Sequence, residues 1–249
     1  MNDFPLITAH TGCMGTLDNS LLSARTALAL GADIVEDDIR ATRDGALVLS
    51  HDDRVPLADG RDGSVSSLTL AELNDGAAEP LVPLEPVLGM VRDAGRRMNL
   101  DLKDDACLEP VARLIGRLEM TDRVFLSGCG YGRALAAARI VPHLRKLLNV
   151  DVQPFLSAIG VEAGLHAAAE ACEQALSAGC FGLNVPYPLA REELIALAAE
   201  KGLDVYVWTV NDTEGMRRCV DLGVRSITTR NVEALVRLRA DRARPEAGE

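Results

Sequence analysis

Short apolar runs alternate with longer alanine- and leucine-rich segments along nearly the whole chain. The short runs, rich in valine, isoleucine and leucine, predict buried parallel strands, whereas the longer segments with apolar positions at helical spacing predict the helices between them. The predicted strands cover residues 5–9, 34–39, 98–102, 123–126, 146–150, 181–184, 205–208 and 226–228. The predicted helices cover residues 20–30, 84–94, 108–118, 134–140, 161–178, 191–201, 213–222 and 232–240.

This alternation predicts an α/β fold, a (β/α)8 TIM barrel, because strand–helix units repeat in that fold and about 250 residues are its usual length. We therefore expect one barrel domain over residues 1–249.

One segment departs from the repeat. Residues 46–51 form a further apolar run joined to the second strand by the turn-like Arg43-Asp44-Gly45, which predicts a small hairpin inserted at the barrel mouth. The polar residues 241–249 are expected to form a frayed tail.

Composition narrows the classes of function. An aromatic content of 3% means that alanine, valine, leucine and isoleucine must build the core. The net charge of −11 argues against nucleic acid or an anionic membrane as partner, so an anionic substrate would need a metal or locally concentrated positive charge. The cysteines form no C-x-x-C pair, and no apolar run reaches the roughly 18 residues of a membrane span. We therefore expect a cytoplasmic protein without a membrane span.

Acidic side chains end two neighbouring predicted strands, where barrels carry their active sites. Glu36 and Asp38 lie two apart on the second strand and so share a face, and Asp101 ends the next barrel strand. Converging carboxylates repel each other unless a proton or cation lies between them, and oxygen ligands suit Mg²⁺ or Ca²⁺. The pattern predicts a divalent metal site, with the alternative that Asp37 or Asp38 caps a turn while Glu36 pairs with an arginine.

Two of the four histidines, His10 and His51, follow predicted strands near these carboxylates. Cleavage of a phosphodiester needs a base for the attacking hydroxyl and an acid for the departing alcohol, and histidine serves both roles near neutral pH. A single histidine at a strand end is more often structural, but two of them beside a metal site favour an acid–base pair. His143 and His166 lie in a predicted loop and a predicted helix and receive no role.

Several short motifs follow one another along the chain. They begin with Thr8-Ala9-His10-Thr11-Gly12, Asp18-Asn19-Ser20 and Gly31-Ala32-Asp33-Ile34-Val35-Glu36-Asp37-Asp38. They continue with Thr42-Arg43-Asp44-Gly45, Ser50-His51-Asp52, Thr69-Leu70-Ala71-Glu72-Leu73, Val82-Pro83-Leu84-Glu85, Val207-Trp208-Thr209-Val210-Asn211-Asp212 and Asp221-Leu222-Gly223-Val224. This order resembles the glycerophosphodiester phosphodiesterase family, whose opening reads His-Arg-Gly, Pro-Glu-Asn-Thr and Gly-Ala-Asp-x-x-Glu-x-Asp.

The resemblance implies a barrel that hydrolyses a small anionic phosphodiester to an alcohol and a phosphomonoester with a divalent metal, Mg²⁺ or Ca²⁺. Carried over to the matching positions, it gives acid–base roles to His10 and His51. It gives metal binding to Glu36, Asp38 and Asp101. Contacts with the substrate would come from Lys103, Trp208 and Thr11.

The chain departs from the family pattern at positions expected to meet the phosphate. Thr11 stands where the family has arginine, Asp101 replaces a longer glutamate, and the usual Thr-Asp-x-Pro has become Thr229-Arg230-Asn231-Val232. Pro-Glu-Asn-Thr has become Leu17-Asp18-Asn19-Ser20. An arginine offers phosphate a planar pair of donors that threonine lacks. Because the first and eighth strands of a closed barrel are neighbours, Arg230 can replace the missing arginine and bind substrate; alternatively, it faces solvent.

Three other functions are compatible with the sequence. Lys103 could form a Schiff base in an aldolase-like barrel, although Asp101 would keep it protonated and two histidines would lack a role. The changes at Thr11 and Arg230 also fit a relative acting on a sugar phosphodiester or a lysophospholipid, or a non-catalytic binding protein. Retention of both histidines and all three carboxylates favours catalysis, and the low aromatic content favours a small polar diester. The oligomeric state is not indicated.

Overall fold

The alternating strands and helices close into a barrel in the computed structural model, which describes residues 4–158 and 160–243. The strands are β1 (Leu6–Ala9), β2 (Ile34–Ala41), β3 (Leu47–Leu49), β4 (Arg54–Pro56), β5 (Asp62–Ser64), β6 (Arg97–Leu102), β7 (Val124–Ser127), β8 (Arg145–Asn149), β9 (Gly182–Pro186), β10 (Asp204–Trp208) and β11 (Ser226–Thr229). Over the described residues, eight of them pair in parallel in the order β1, β11, β10, β9, β8, β7, β6 and β2, and β1 pairs with β2 to close the ring. The predicted TIM barrel is confirmed.

Helices surround this ring and pack their apolar faces against it. They are α1 (Leu21–Ala29), α2 (Leu70–Gly76), α3 (Leu84–Asp93), α4 (Leu108–Arg117), α5 (Tyr131–Ile140), α6 (Gln153–Ser157), α7 (Val161–Ser177), α8 (Glu192–Glu200), α9 (Thr213–Asp221) and α10 (Val232–Ala243). The predicted bounds agree within two residues except that α5 begins and α10 ends three residues outside them. Helix α10 therefore includes the start of the expected frayed tail, and residues 244–249 lie outside the described part of the chain. The prediction of one domain over the whole length stays a prediction.

The segment between β2 and α3 contains the predicted hairpin and more. Strand β2 continues beyond the barrel and pairs antiparallel with β3, with Ile39 opposite Leu49, so the predicted hairpin is present. The pattern did not indicate the second hairpin, β4 with β5, or the helix α2, because strands of three residues rich in charge and glycine have no apolar periodicity. This insert has a small apolar core of its own, formed by Val48, Val55, Val65 and Leu73.

The side chains of β2 alternate between two environments. Val35 and Ile39 belong to the main apolar core, which includes residues of the surrounding helices. Glu36 and Asp38 line a cleft at the barrel mouth. In the neighbouring strand β6, Asp101 lies opposite Asp38 in the register. The alternation of the strand thus brings the predicted metal ligands to one face.

Aromatic side chains fill the amino end of the barrel. The ring of Phe125 packs edge to face against Phe181 at 5.6 Å and against Tyr206 at 5.5 Å between centroids. Arg145 lies 4.0 Å above the centroid of Phe181, where its charge meets the negative face of the ring. These rings close the amino end of the barrel. The polar cleft lies at the opposite end, where the strands have their carboxyl ends.

Between the two cleft carboxylates of β2, Asp37 faces the opposite way and is wholly buried. Neither of its carboxylate oxygens has a hydrogen bond of normal geometry within the described residues. Burial raises the pKa of Asp37 to about 7, and the nearby Thr11 hydroxyl offsets only part of that rise. A buried carboxyl in this setting destabilises the fold most when it is charged.

Replacing Asp37 with asparagine should stabilise the protein at neutral pH. The unfolded chain loses this proton near the ordinary pKa of 3.8, whereas the folded protein keeps it until about pH 7. The free energy of unfolding should therefore fall as the pH rises through that window, because deprotonation favours the unfolded chain. At roughly 1.4 kcal/mol per pKa unit, Asp37→Asn should gain up to about 4 kcal/mol near pH 8 and little near pH 4.

Urea unfolding of both proteins at the two pH values measures this difference. An equal gain at both values would show that Asp37 does not titrate between them.

Candidate active site

A cleft of about 620 Å³ opens at the carboxyl ends of the barrel strands. Residues far apart in the sequence meet there, because the strand ends of a barrel share one rim. Eight of the nine residues predicted for the site line this cleft: His10, Glu36, Asp38, His51, Asp101, Lys103, Trp208 and Arg230.

Three carboxylates form the centre of the cleft. Glu36, Asp38 and Asp101 each place an oxygen within 4.8 Å of the other two. Burial raises the pKa of Glu36 well above its ordinary range, and the charges of Asp38 and Asp101 raise it further. Burial also raises the pKa of Asp101. Like charges held this close need a proton or a cation between them, and a set of carboxylate oxygens fits a hard cation such as Mg²⁺ or Ca²⁺.

Lys103 reaches this cluster from the loop after β6. Its ammonium nitrogen is 2.9 Å from Asp38 Oδ1 and 3.1 Å from Asp101 Oδ1. Burial lowers the pKa of Lys103, but the charges of Asp101 and Asp38 outweigh that effect, and the pKa is raised overall. A lysine must lose its proton to attack a carbonyl, so this setting does not favour the Schiff-base alternative.

The loop between β1 and α1 holds Asp38 from the other side. Asn19 has a left-handed φ of 55°, which asparagine tolerates better than most residues. Its side-chain oxygen accepts from the Asp38 backbone N–H, and its side-chain nitrogen donates to Asp38 Oδ2, each at 3.2 Å. Asp38 is therefore fixed by contacts with the loop and does not cap a turn.

Thr11, predicted to contact the substrate, is the residue that the structure does not bring to the cleft. It is 2% exposed, and its hydroxyl accepts a 2.6 Å hydrogen bond from the Asn19 backbone N–H. Its own backbone N–H donates to Glu36 Oε2 at 3.2 Å. Thr11 therefore supports the loop and a cleft carboxylate, because the chain turns after β1 and buries its side chain.

His10 lies between the carboxylate cluster and Arg230. Its Nδ1 is 2.9 Å from the Thr11 carbonyl oxygen, 3.2 Å from Arg230 Nε and 3.9 Å from Glu36 Oε2. The carbonyl can only accept a hydrogen bond and the guanidinium can only donate one, so the two contacts use opposite protonation states of Nδ1. The surroundings of His10 can thus accommodate either neutral tautomer of the imidazole.

His51 reaches the same cleft from the insert, directly after β3 and Ser50. Its Nδ1 is 2.8 Å from Asp52 Oδ1, and the side chain is 67% exposed. The hydrogen bond from His51 is the largest effect that lowers the pKa of Asp52. A carboxylate that accepts from Nδ1 orients the ring and leaves Nε2 to exchange a proton with a substrate.

The sequence profile of the glycerophosphoryl diester phosphodiesterase family matches residues 8–234, which include every cleft residue described so far. The chain belongs to this family. A glycerophosphodiester phosphodiesterase of Caldanaerobacter subterraneus is 27% identical over 252 residues, which cover 94% of this chain and 97% of the relative. The resemblance drawn from the motifs and the prediction of a phosphoric diester hydrolase are confirmed.

Solved structures of the family share this fold. A glycerophosphodiester phosphodiesterase from Parabacteroides distasonis superposes with a TM-score of 0.77 at 22% identity, covering 98% of this chain and 100% of that chain. An Oleispira antarctica phosphodiesterase in complex with the product sn-glycerol-3-phosphate superposes with a TM-score of 0.77 at 22% identity, covering 96% and 97%. Within the described residues, this member of the family has no helix long and apolar enough to cross a membrane.

Polar residues that the sequence pattern did not single out line the base of the cleft. Ser127 and Asn149 end β7 and β8, and Asn99 lies within β6; a polar residue on the inward side of each strand was the signal available. Asn149 Oδ1 accepts hydrogen bonds from the Gly128 backbone N–H at 2.9 Å and from the Asn184 side chain at 3.2 Å. Asn99 Oδ1 is buried and has no hydrogen-bond partner within the described residues. This amide-rich base can bind hydroxyl groups.

Arg133, on α5, joins the end of β6, which carries Asp101, to the loop after β7. Its Nη1 donates to the carbonyl oxygens of Leu102 at 2.6 Å and Gly128 at 2.7 Å. No sequence pattern marks a helical arginine for this role, because the contact arises from tertiary packing. The approach also needs glycine at 128, where φ is 69° and a Cβ atom would lie 2.3 Å from Asp101 Oδ1.

Gly128→Ala should therefore disturb Asp101 and the carboxylate cluster. An added Cβ would also lie 2.4 Å from the Leu102 carbonyl oxygen, so we expect a loss of roughly 1–3 kcal/mol in the free energy of unfolding. Binding of Mg²⁺, followed by calorimetry, should weaken as well. The matched control is Gly130→Ala, since Gly130 has an ordinary φ of −62° and open space around its Cβ position. Equal effects of the two substitutions would contradict this role of Gly128.

Proposed function

We propose that this protein is a metal-dependent glycerophosphodiester phosphodiesterase in which His10 and His51 transfer the protons. The observation that carries the proposal is the convergence of three carboxylates, two histidines, Lys103 and Arg230 in one cleft. Membership of the family supports hydrolysis of this class of diester. The related Oleispira antarctica enzyme, solved with sn-glycerol-3-phosphate, supports a phosphomonoester of glycerol as the product. A non-catalytic binding protein would need no such pair of histidines.

The metal ligands would be Glu36, Asp38 and Asp101, whose oxygens are close enough to share one ion. A divalent cation held by these residues would supply positive charge to offset the negative charge of the phosphate oxygens. Both histidines are needed because one proton must leave the attacking hydroxyl and another must reach the departing alcohol oxygen. Attack by water gives the products directly, whereas attack by a neighbouring hydroxyl of the substrate gives a cyclic phosphate first.

The base of the cleft favours a small polar alcohol. Asn99, Asn149 and Asn184 present amide groups there, and the Asn99 oxygen lacks a partner within the described residues. Hydroxyl groups of a glycerol unit could form hydrogen bonds with amide groups that line the cleft, whereas an acyl chain could not. Trp208 stands at the rim, 36% exposed, and offers a flat apolar face to a carbon skeleton. We therefore infer a small polyol diester in preference to a lysophospholipid.

Removal of divalent cations should abolish hydrolysis, and Mg²⁺ or Ca²⁺ should restore it. Glu36→Gln should weaken Mg²⁺ binding in calorimetry while the protein stays folded, because the change removes one buried like charge from the cluster. Glu85→Gln is the control, since Glu85 is exposed on α3 and pairs with Arg117 outside the cleft. Full activity in excess chelator would refute the metal assignment.

Arg230 occupies the position from which it can replace the arginine missing at Thr11. Its Nη2 is 3.0 Å from Asp18 Oδ2 and its Nε is 3.2 Å from His10 Nδ1. Both Asp18 and Arg230 line the cleft, so the cation is directed toward the site and not only toward solvent. We propose that Arg230 leaves Asp18 to bind the phosphate, where its planar donors would face two oxygens.

Arg230→Gln should lower kcat/KM by roughly ten- to a hundredfold, since one charge-assisted contact contributes about 1.5–3 kcal/mol. The melting temperature should barely change, because the side chain is 43% exposed at the barrel mouth. Arg237→Gln provides the control, as Arg237 is on α10, the helix that follows Arg230 in the chain, and pairs with Glu233 on the exposed surface. An unchanged kcat/KM in Arg230→Gln would show that the phosphate is held without this residue.

A further inference from the structure

We infer that Arg40 is a positioning residue that holds His51 at the cleft, an inference that rests on the proton-transfer role proposed for His51. Arg40 lies on β2 two residues beyond Asp38, so its side chain leaves the same face of the strand. Its Nε donates a 3.0 Å hydrogen bond to the His51 carbonyl oxygen. The side chain of Arg40 is only 16% exposed, which limits competition from water for this bond.

His51 needs such a contact because it does not lie on a barrel strand. It follows β3, a strand of three residues that extends outward from the ring, and most of its side chain is exposed. The backbone N–H of Ser50 donates to the Asp38 carbonyl at 3.1 Å, which fixes the residue before it. The bond from Arg40 then fixes the peptide of His51 itself to the strand that carries two of the three cleft carboxylates.

The other end of the Arg40 guanidinium contacts the loop after β6. Its Nη1 is 3.6 Å from Asp104 Oδ2, which is buried and has no hydrogen bond within the described residues. Asp104 follows Lys103 directly and accepts a hydrogen bond from the Cys107 backbone N–H at 3.2 Å through Oδ1. Arg40 thus connects the insert that carries His51 with the loop that carries Lys103. A single guanidinium can make both contacts because its donors diverge within one plane.

Arg43, in the turn that follows β2, offers a matched comparison. Arg43 donates to the Ser67 carbonyl at 3.1 Å and to both carboxylate oxygens of Glu72, at 2.9 and 3.1 Å. These bonds hold α2 and the turn before it against the hairpin. In the part of the chain that the structure describes, Arg43 bonds to Ser67 and Glu72 and not to His51, so its loss should affect the stability of the insert without moving that ring.

The test compares Arg40→Gln, Arg43→Gln, His51→Ala and the double variant Arg40→Gln/His51→Ala on an alkyl phosphodiester. Arg40→Gln should lower kcat roughly ten- to a hundredfold with KM within about twofold, because a displacement of about 1 Å can reduce catalysis to that extent. Arg43→Gln should keep the kcat of the parent, even where its melting temperature falls. In the His51→Ala background, Arg40→Gln should have no further effect on kcat, since there is no imidazole left to position.

A nitrophenyl leaving group provides a readout that a purely structural role would not change. If His51 protonates the leaving alcohol, this substrate should restore both His51→Ala and Arg40→Gln; if His51 is the base, it should restore neither. In both cases the two variants behave alike. Should Arg40→Gln fail to fold, Asp104→Asn replaces it, because asparagine keeps an acceptor for Cys107 and removes the charge that faces Arg40.

The results separate the two levels of the proposal. Near-normal turnover by His51→Ala would overturn the proposed role of His51 itself. A strong loss in His51→Ala together with the parent kcat in Arg40→Gln would overturn the role of Arg40 alone. The role of Arg40 would also be overturned if the losses in kcat multiplied in the double variant. It would be overturned as well if Arg40→Gln and His51→Ala responded differently to the leaving group.

Discussion

Like-charge repulsion among three closely spaced carboxylates, two buried and one partly buried, is the constraint around which the site is organised. Glu36, Asp38 and Asp101 are brought together by the register of β2 and β6, and burial raises the pKa values of Glu36 and Asp101. Such a cluster lowers the stability of a fold unless a positive charge lies within it. Lys103 provides that charge in part, with its ammonium between Asp38 and Asp101. A divalent cation would do so more fully, and this is the physical basis for the proposed metal dependence.

The loops around the cluster fix its geometry through contacts that the barrel strands cannot make. Asn19 binds both the backbone and the side chain of Asp38 from the loop after β1. Arg133 and the bare backbone of Gly128 let the loops after β6 and β7 approach Asp101 closely. Arg40 then connects the insert to the same region. The barrel therefore places the carboxylates, and polar contacts between neighbouring loops place the groups that act beside them.

The sequence predicted the barrel and most of the cleft because both follow from short-range patterns. Apolar runs revealed the strands, and the spacing of Glu36 and Asp38 revealed a shared face. Contacts between residues far apart in the sequence were harder to predict. The burial of Thr11 depends on how the chain turns after β1, and the bracing by Arg133 depends on how α5 packs. The second hairpin and α2 were missed because the insert forms its small core from residues without strand or helix periodicity.

Hydrolysis of a glycerophosphodiester by paired histidines is tested most directly by phosphorus NMR of glycerophosphocholine incubated with Mg²⁺ and either the parent protein or His10→Ala. The parent should convert the diester to sn-glycerol-3-phosphate. His10→Ala should be slower by roughly 10²–10⁴, the usual contribution of one positioned acid or base. Failure of the parent to form any phosphomonoester, or its formation by His10→Ala at the parent rate, would contradict the proposed chemistry.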